Sequence, residues 1–221
     1  MNRLRKCFSM LLVLSVISLI ALLPQQASAQ AEKGIELYNS GNFEGAEKEL
    51  RQVLTKANSV ITPANYYLGL SVLGQKRYEE ALDIFLGVKK SQDRAGQQAR
   101  AAVPSEYQIQ LALGRARLGM GQFDEAWKNL ESARIEDGSA SDVYVYRGVF
   151  YLEQKKYDKA IEALEKAISL DDQNAYAYYY SGMAYFHSGN GKKAAEDLKT
   201  FIKLAPEAPE VAQARETINM C

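Results

Sequence analysis

Five glycines constrain this chain more than any other feature. Gly34, Gly69, Gly114, Gly148 and Gly182 each open the same pattern. Nine residues on stand Phe43, Tyr78, Phe123 and Tyr157, with Gly191 in the fifth copy. Twelve residues on there is always alanine: Ala46, Ala81, Ala126, Ala160 and Ala194. Sixteen residues on stand Leu50, Phe85, Leu130, Leu164 and Leu198. Successive glycines stand about 34 residues apart, except that an insertion lengthens the interval from Gly69 to Gly114. Glycine fills about 7% of positions in an average protein, so five at a preset register arise by chance roughly once in a million. A period of this size means that each copy is one supersecondary unit, able to bury its apolar face only by stacking on its neighbours.

Each copy reads as two apolar stretches around a short polar break. The breaks are Ser40-Gly41-Asn42, Gln75-Lys76-Arg77, Gly121-Gln122, Gln154-Lys155-Lys156 and Gly189-Asn190-Gly191. Connections this short force the two stretches to pack antiparallel. Ala160, Ile161, Leu164, Ala167 and Ile168 recur at helical spacing, and no segment alternates as a strand would. Small residues at fixed places let paired helices approach where a larger side chain would clash. The end of the chain, Pro209 to Cys221, carries Val211, Ala214 and Ile218 and predicts a helix capping the fifth pair.

The pattern resembles the tetratricopeptide repeat (TPR) family, whose 34-residue motif runs Leu-Gly-x-x-Tyr, Ala-x-x-x-Phe, then Pro. Leu68-Gly69 and Leu113-Gly114 match its first pair, Tyr151 and Tyr185 its next aromatic, and Pro206 its closing proline. Departures are Lys33, Arg147 and Ser181 for the leucine, Arg117 for the aromatic, and Asn58, Asp93, Gly138 and Asp172 for the proline. The resemblance implies an all-α, right-handed superhelical solenoid of about five helix-turn-helix repeats. They are expected at 30–58, 62–93, 107–140, 141–174 and 175–208, with a capping helix at 209–221. Residues 94–106 are read as an insertion. The stretch around it carries Lys89, Lys90, Arg94 and Arg100, and reads either as a basic recognition loop or as a solvated linker, since surface insertions cost little.

Residues 1–29 read as an export signal: Arg3, Arg5 and Lys6, an apolar run from Phe8 to Leu23, a break at Pro24, and Ala27-Ser28-Ala29 before Gln30. Cleavage there would leave a periplasmic or secreted protein. Retention would leave a membrane-anchored one, although the run from Phe8 to Leu23 is short for a comfortable span. The whole chain balances 27 basic against 27 acidic side chains, which argues against a nucleic-acid binder. Its only cysteines are Cys7 and Cys221, so cleavage leaves one thiol and no internal disulfide. With His187 the only histidine, a zinc site of His and Cys has too few ligands. No motif implies a cofactor, and no nucleophile–base pair or phosphate loop points to catalysis.

In the family the first helix of each pair lines the concave face, and the inward positions lie three before, one after and four after the glycine. Here the candidates for a protein-binding groove are Tyr38, Tyr66, Leu70, Leu73, Leu111, Arg115, Val149, Tyr179, Met183 and Phe186, with Tyr176 one turn earlier. The resemblance implies a contiguous apolar patch, the usual mark of an interaction site. A stripe at helical spacing can equally be packing. Arg115 is almost the only cation on this face, with Asn39 at its rim, so a clamp for a peptide's terminal carboxylate is disfavoured. The tyrosine run divides the same way, Tyr178 and Tyr185 to the core and Tyr176 and Tyr179 to the groove. The leading expectation is a non-enzymatic interaction scaffold or adaptor in the bacterial cell envelope, holding an apolar helix or extended protein segment. Its alternatives are a self-associating structural subunit of an envelope, secretion or pilus assembly, and a regulatory domain of an enzyme system.

Overall fold

The computed structural model describes residues 29–56, 62–95 and 104–221. Among these residues there are eleven helices and no strand. The expected export signal lies outside them, except for residue 29, where the first helix begins. The chain divides into two compact units, Met1–Ser105 and Glu106–Cys221.

The first unit holds α1 (29–39), α2 (Phe43–Lys56), α3 (Thr62–Gly74) and α4 (Tyr78–Ala95), with α3 packed between α2 and α4. The second holds three pairs: α5 (Glu106–Gly119) with α6 (Phe123–Glu136), α7 (Ser141–Glu153) with α8 (Tyr157–Leu170), and α9 (Ala175–His187) with α10 (Gly191–Leu204). A single helix, α11 (Val211–Met220), then packs on α10.

The three fixed positions of the repeat prove to be one contact. A Cβ built on Gly148 would lie 2.5 Å from Cγ of Leu164, sixteen residues on. The same residue faces Gly34, Gly69, Gly114 and Gly182, at 2.6, 2.5, 3.1 and 2.6 Å. Each of these large side chains, and each alanine four residues before it, is fully buried. Glycine is thus required because the second helix presses a whole side chain onto its backbone, a close packing that interiors hold at crystal-like density. Burying each such Leu or Phe contributes about 1.5–3 kcal/mol.

The turns repeat as faithfully. Seven residues after each glycine the backbone is left-handed, at Gly41, Lys76, Gly121, Lys155 and Gly189. In the fourth copy Lys155 N–H donates to the Leu152 carbonyl and Lys156 N–H to the Tyr151 carbonyl, both at 2.9 Å. The equivalent pair of bonds closes the first helix in every copy, a Schellman ending that satisfies its last carbonyls. Asn42 and Asn190 then cap the following helix, their side chains accepting from Gly45 N at 2.9 Å and Lys193 N at 3.2 Å.

Three departures from the repeat find physical reasons. Arg117 donates to Asn129, whose amide donates to Gln110 Oε1 at 2.5 Å; Gln110 in turn donates to Glu106 at 2.8 Å. This polar clasp stands where the fourth and fifth copies carry Tyr151 and Tyr185. Gln30 and Glu49 (3.1 Å) occupy the same register in the first copy, so both units open with a polar clasp. The insertion divides: α4 runs on to Ala95, two residues into the expected loop, and is longer than α6, α8 and α10. Its extension is anchored where buried Gln92 donates to the Pro104 carbonyl at 2.9 Å. Pro104 precedes α5 by two residues, while the helix extension expected at Gln97–Ala102 lies outside the described residues. Finally, Gly191 stands where other copies carry an aromatic because Cys221 packs against it: an added Cβ would lie 3.0 Å from the Cys221 backbone oxygen.

Candidate protein-binding surface

In the first unit the inner stripe is mostly interior. Tyr66, Leu70 and Leu73 are buried, and Tyr66 packs toward Phe85 with ring centroids 5.9 Å apart. Tyr38 is half-buried, edge-on to Tyr67 at 5.5 Å. An acidic and basic network lies elsewhere in this unit. Glu47 accepts from Arg51 Nε (2.8 Å), Arg77 Nη1 (2.7 Å) and Gln75 (2.8 Å), and Glu80 pairs with both arginines. Burial alone would raise the Glu47 carboxyl, but these donors outweigh it and hold its pKa at about 2. Arg77, Tyr78, Glu79, Glu80 and Asp83 line a shallow pocket of about 420 Å³ beside the network. Its arginine is already paired.

In the second unit Leu111 is buried and Val149 half-buried, both in the cluster around Leu130 and Phe150. The Arg115 guanidinium sits 4.7 Å from the centre of the Tyr146 ring. On α9 the stripe meets the capping segment. Tyr176 donates to Glu210 (3.0 Å), Tyr179 donates to Gln213 (2.9 Å), and Thr217 reaches Met183 Sδ at 4.0 Å. Each partner stands one full repeat further along the chain, so α11 takes the register of the first helix of a sixth copy. Tyr179 is consequently buried, its ring 5.0 Å from Phe201, while Met183 and Phe186 are half-buried. Tyr176 remains 39% exposed, the only one of the eleven candidates among the exposed large apolar side chains.

Reasoning from the glycine register overlooked a second inward position, two residues before it. That position holds Tyr67, Tyr146 and Tyr180. In the second unit Tyr146 and Tyr180 stand on α7 and α9, with Tyr107 on α5 and Tyr176 one turn before Tyr180. Burial, reinforced by Asp142 and Asp137, pushes Tyr107 up to about 12. Burial also raises Tyr176, with the Glu210 charge and hydrogen bond adding, and raises Tyr180. All stay protonated near neutrality, as hydroxyl donors. The recurrence of tyrosine at this position in three of the five copies was the signal available in the sequence.

Other singled-out residues are placed simply. Exposed His187 stacks on Tyr157 at 5.5 Å. Exposed Cys221 donates to the Thr217 carbonyl (3.1 Å). Asp171 accepts from Gln173 N (2.9 Å), as a turn residue does. Tyr185, assigned to the core, is buried and donates to Glu165 at 2.5 Å. Tyr178, also assigned there, is half-buried in the cluster around Leu198 and Phe201. In the α4 extension Lys89 pairs with Asp93 at 3.9 Å. Among the described residues no helix is long and apolar enough to cross a membrane, and no three His, Cys, Asp or Glu converge.

Helix pairs stacked around a glycine, an alanine and a large apolar residue, each closed by a left-handed turn, define a repeat protein of the TPR class. Tetratricopeptide-repeat family models match residues 32–106 and 111–175, and a further one residues 148–219. The chain belongs to the tetratricopeptide repeat family. Proteins of this family generally act as protein-interaction scaffolds, and the fold is typically non-catalytic. No curated protein matches the chain. Among solved structures it is similar to TTC0263, a thermophilic TPR protein of Thermus thermophilus. That likeness has a TM-score of 0.71 at 18% identity, over 87% of this chain and 99% of the other. It is also similar to MamA (residue 41 to the end) from Desulfovibrio magneticus RS-1, with a TM-score of 0.54 at 20% identity, over 83% and 97%. At such identities these likenesses bear on the fold.

Proposed function

We propose that this protein is a non-enzymatic scaffold of the bacterial cell envelope that holds an apolar segment of a partner protein on the inner face of its second unit. The observation that carries the reading is Tyr176, an exposed aromatic within a stripe whose other members are half-buried or buried. Large aromatics of this kind anchor protein interfaces, giving area at low conformational cost together with a hydroxyl. Half-buried Val149, Met183 and Phe186 flank it in the register and supply apolar area. The envelope location rests on the signal pattern of residues 1–29.

A photo-crosslinking residue placed at position 176 in the living host tests the binding face. The expected result is an adduct with a defined envelope protein, absent when the probe stands at Glu162, an exposed position on α8. Adducts at 162 and none at 176 would refute the inner-face reading. N-terminal sequencing of the same material is expected to begin at Gln30. A start at residue 1 would replace an exported protein with an anchored one.

A further inference from the structure

The inner stripe of the fifth copy is already held by part of this chain. Tyr176, Tyr179 and Met183 on α9 meet Glu210, Gln213 and Thr217 of the α11 segment. Beneath α11, Ala214 packs in one cluster with Tyr179, Leu198 and Phe201. The end of the second unit is therefore a seat for a helix, and the structure shows one in it.

That helix is weakly held. It is ten residues long, and isolated helices below about 12–15 residues are marginal in water. Its buried side chains, Ala214 and Thr217, are both small, whereas α9 buries Tyr179 and Tyr185, and α10 buries Leu198 and Phe201. Val211 and Ile218 are only half-buried, and Met220 is 60% exposed. Asn174 and Asn190 cap α9 and α10 with side-chain hydrogen bonds, but Glu210 makes none to α11. Its carboxylate accepts instead from Tyr176, the exposed residue of the stripe. Exposed Pro206 and Pro209 separate α11 from α10. An element with so few buried apolar contacts opens locally, at less cost than global unfolding.

We propose that α11 is an autoinhibitory latch: it occupies the seat on α9 and α10 that an amphipathic helix of the partner protein takes when α11 lifts, presenting apolar residues at the spacing of Val211, Ala214 and Ile218. An amphipathic helix laid on an apolar groove is a recurrent mode of recognition. A partner group that takes the Tyr176 hydroxyl displaces Glu210 and loosens α11. This rests on the reading that the inner face of the second unit is the binding surface, and it names the partner's conformation and the contact that controls access.

The structure supplies a lock for the test. A Cβ added at Gly191 would lie 3.3 Å from Cβ of Cys221, just under the range of about 3.5–4.5 Å that a disulfide spans. Oxidised Gly191→Cys thus ties the end of α11 to the start of α10, and reduction frees it in the same molecule. Amide hydrogen exchange on the full wild-type chain is expected to be at least about 10-fold faster in α11 than in α9 and α10, and to slow to their level in oxidised Gly191→Cys. Exchange of α11 together with α9 and α10 in the wild type would overturn the latch. The binding probe is a labelled peptide of residues 209–221, read by fluorescence anisotropy. Oxidation of Gly191→Cys is expected to weaken its binding at least about 10-fold, and reductant to restore it. Ala214→Glu, which sets a charge against Tyr179 and Phe201 and unseats α11, is expected to bind the peptide at least about 10-fold more tightly than wild type. Equal binding by the oxidised and reduced forms, or binding by neither, would overturn the inference. The crosslink at position 176 decides the inner-face reading separately: adducts there, with equal peptide binding by both forms, would remove the latch alone.

Discussion

One substitution, Gly→Ala, is expected to act with opposite sign at two helical positions of this protein. Gly148 lies on α7 under fully buried Leu164, and an added Cβ would stand 2.5, 2.8 and 2.9 Å from three of its side-chain carbons. Alanine is favoured over glycine within a helix by about 1 kcal/mol. Against this stands overpacking of a side chain with nowhere to retreat, which costs about 1–3 kcal/mol and more where the backbone must move. The clash wins, so Gly148→Ala is expected to destabilise the second unit by up to about 2 kcal/mol. Gly87 lies in the middle of α4, exposed, with nothing within 4 Å of an added Cβ. There only the helix preference acts, and Gly87→Ala is expected to stabilise by about 0.5–1 kcal/mol. Urea unfolding followed by far-ultraviolet circular dichroism measures both. Leu164→Ala supplies the control: in that background Gly148→Ala should lose most of its cost, a coupling of about 0.5–3 kcal/mol. A stabilising Gly148→Ala, or a cost that persists without Leu164, would refute the argument that the glycine is there for the helix contact.

Lys155 holds a left-handed backbone at φ 56° where three other copies use glycine. Lys155→Gly is therefore expected to stabilise the second unit by about 0.5–1 kcal/mol in the same unfolding assay, the relief of strain exceeding the added freedom of the unfolded chain. Glu47, its carboxyl held at about 2 by Gln75, Arg51 and Arg77, contributes stability above its unfolded pKa near 4.5 and loses it as pH falls toward 2. Thermal melts of Glu47→Gln are expected to show about 1–3 kcal/mol less stability at pH 7 and a flatter decline between pH 4.5 and 2.

The repeat and its helix pairs were legible in the sequence because their causes are local or nearly so. A glycine and the residue sixteen places on are brought together by one turn of fixed geometry, so spacing alone predicts their contact, and five copies confirm one another. The same spacing placed Tyr176, Tyr179 and Met183 on the inner side of their helix. Register names the side of a helix that a residue faces, but exposure depends on what else packs there. That was decided by the tertiary structure, where α11, in the register of a sixth first helix, reaches Tyr179 and Met183 and leaves Tyr176 open. The meaning of Gly191 was settled the same way, since its neighbour is Cys221, thirty residues on. Arg117 read as a flaw in the third copy, and only folding supplied Asn129 and Gln110 to receive it. Tyr67, Tyr146 and Tyr180 lay in the sequence at a fixed offset from their glycines, yet what packs against them required neighbouring copies to stack, because groups a whole repeat apart meet only when each helix pair finds its apolar cover on the next.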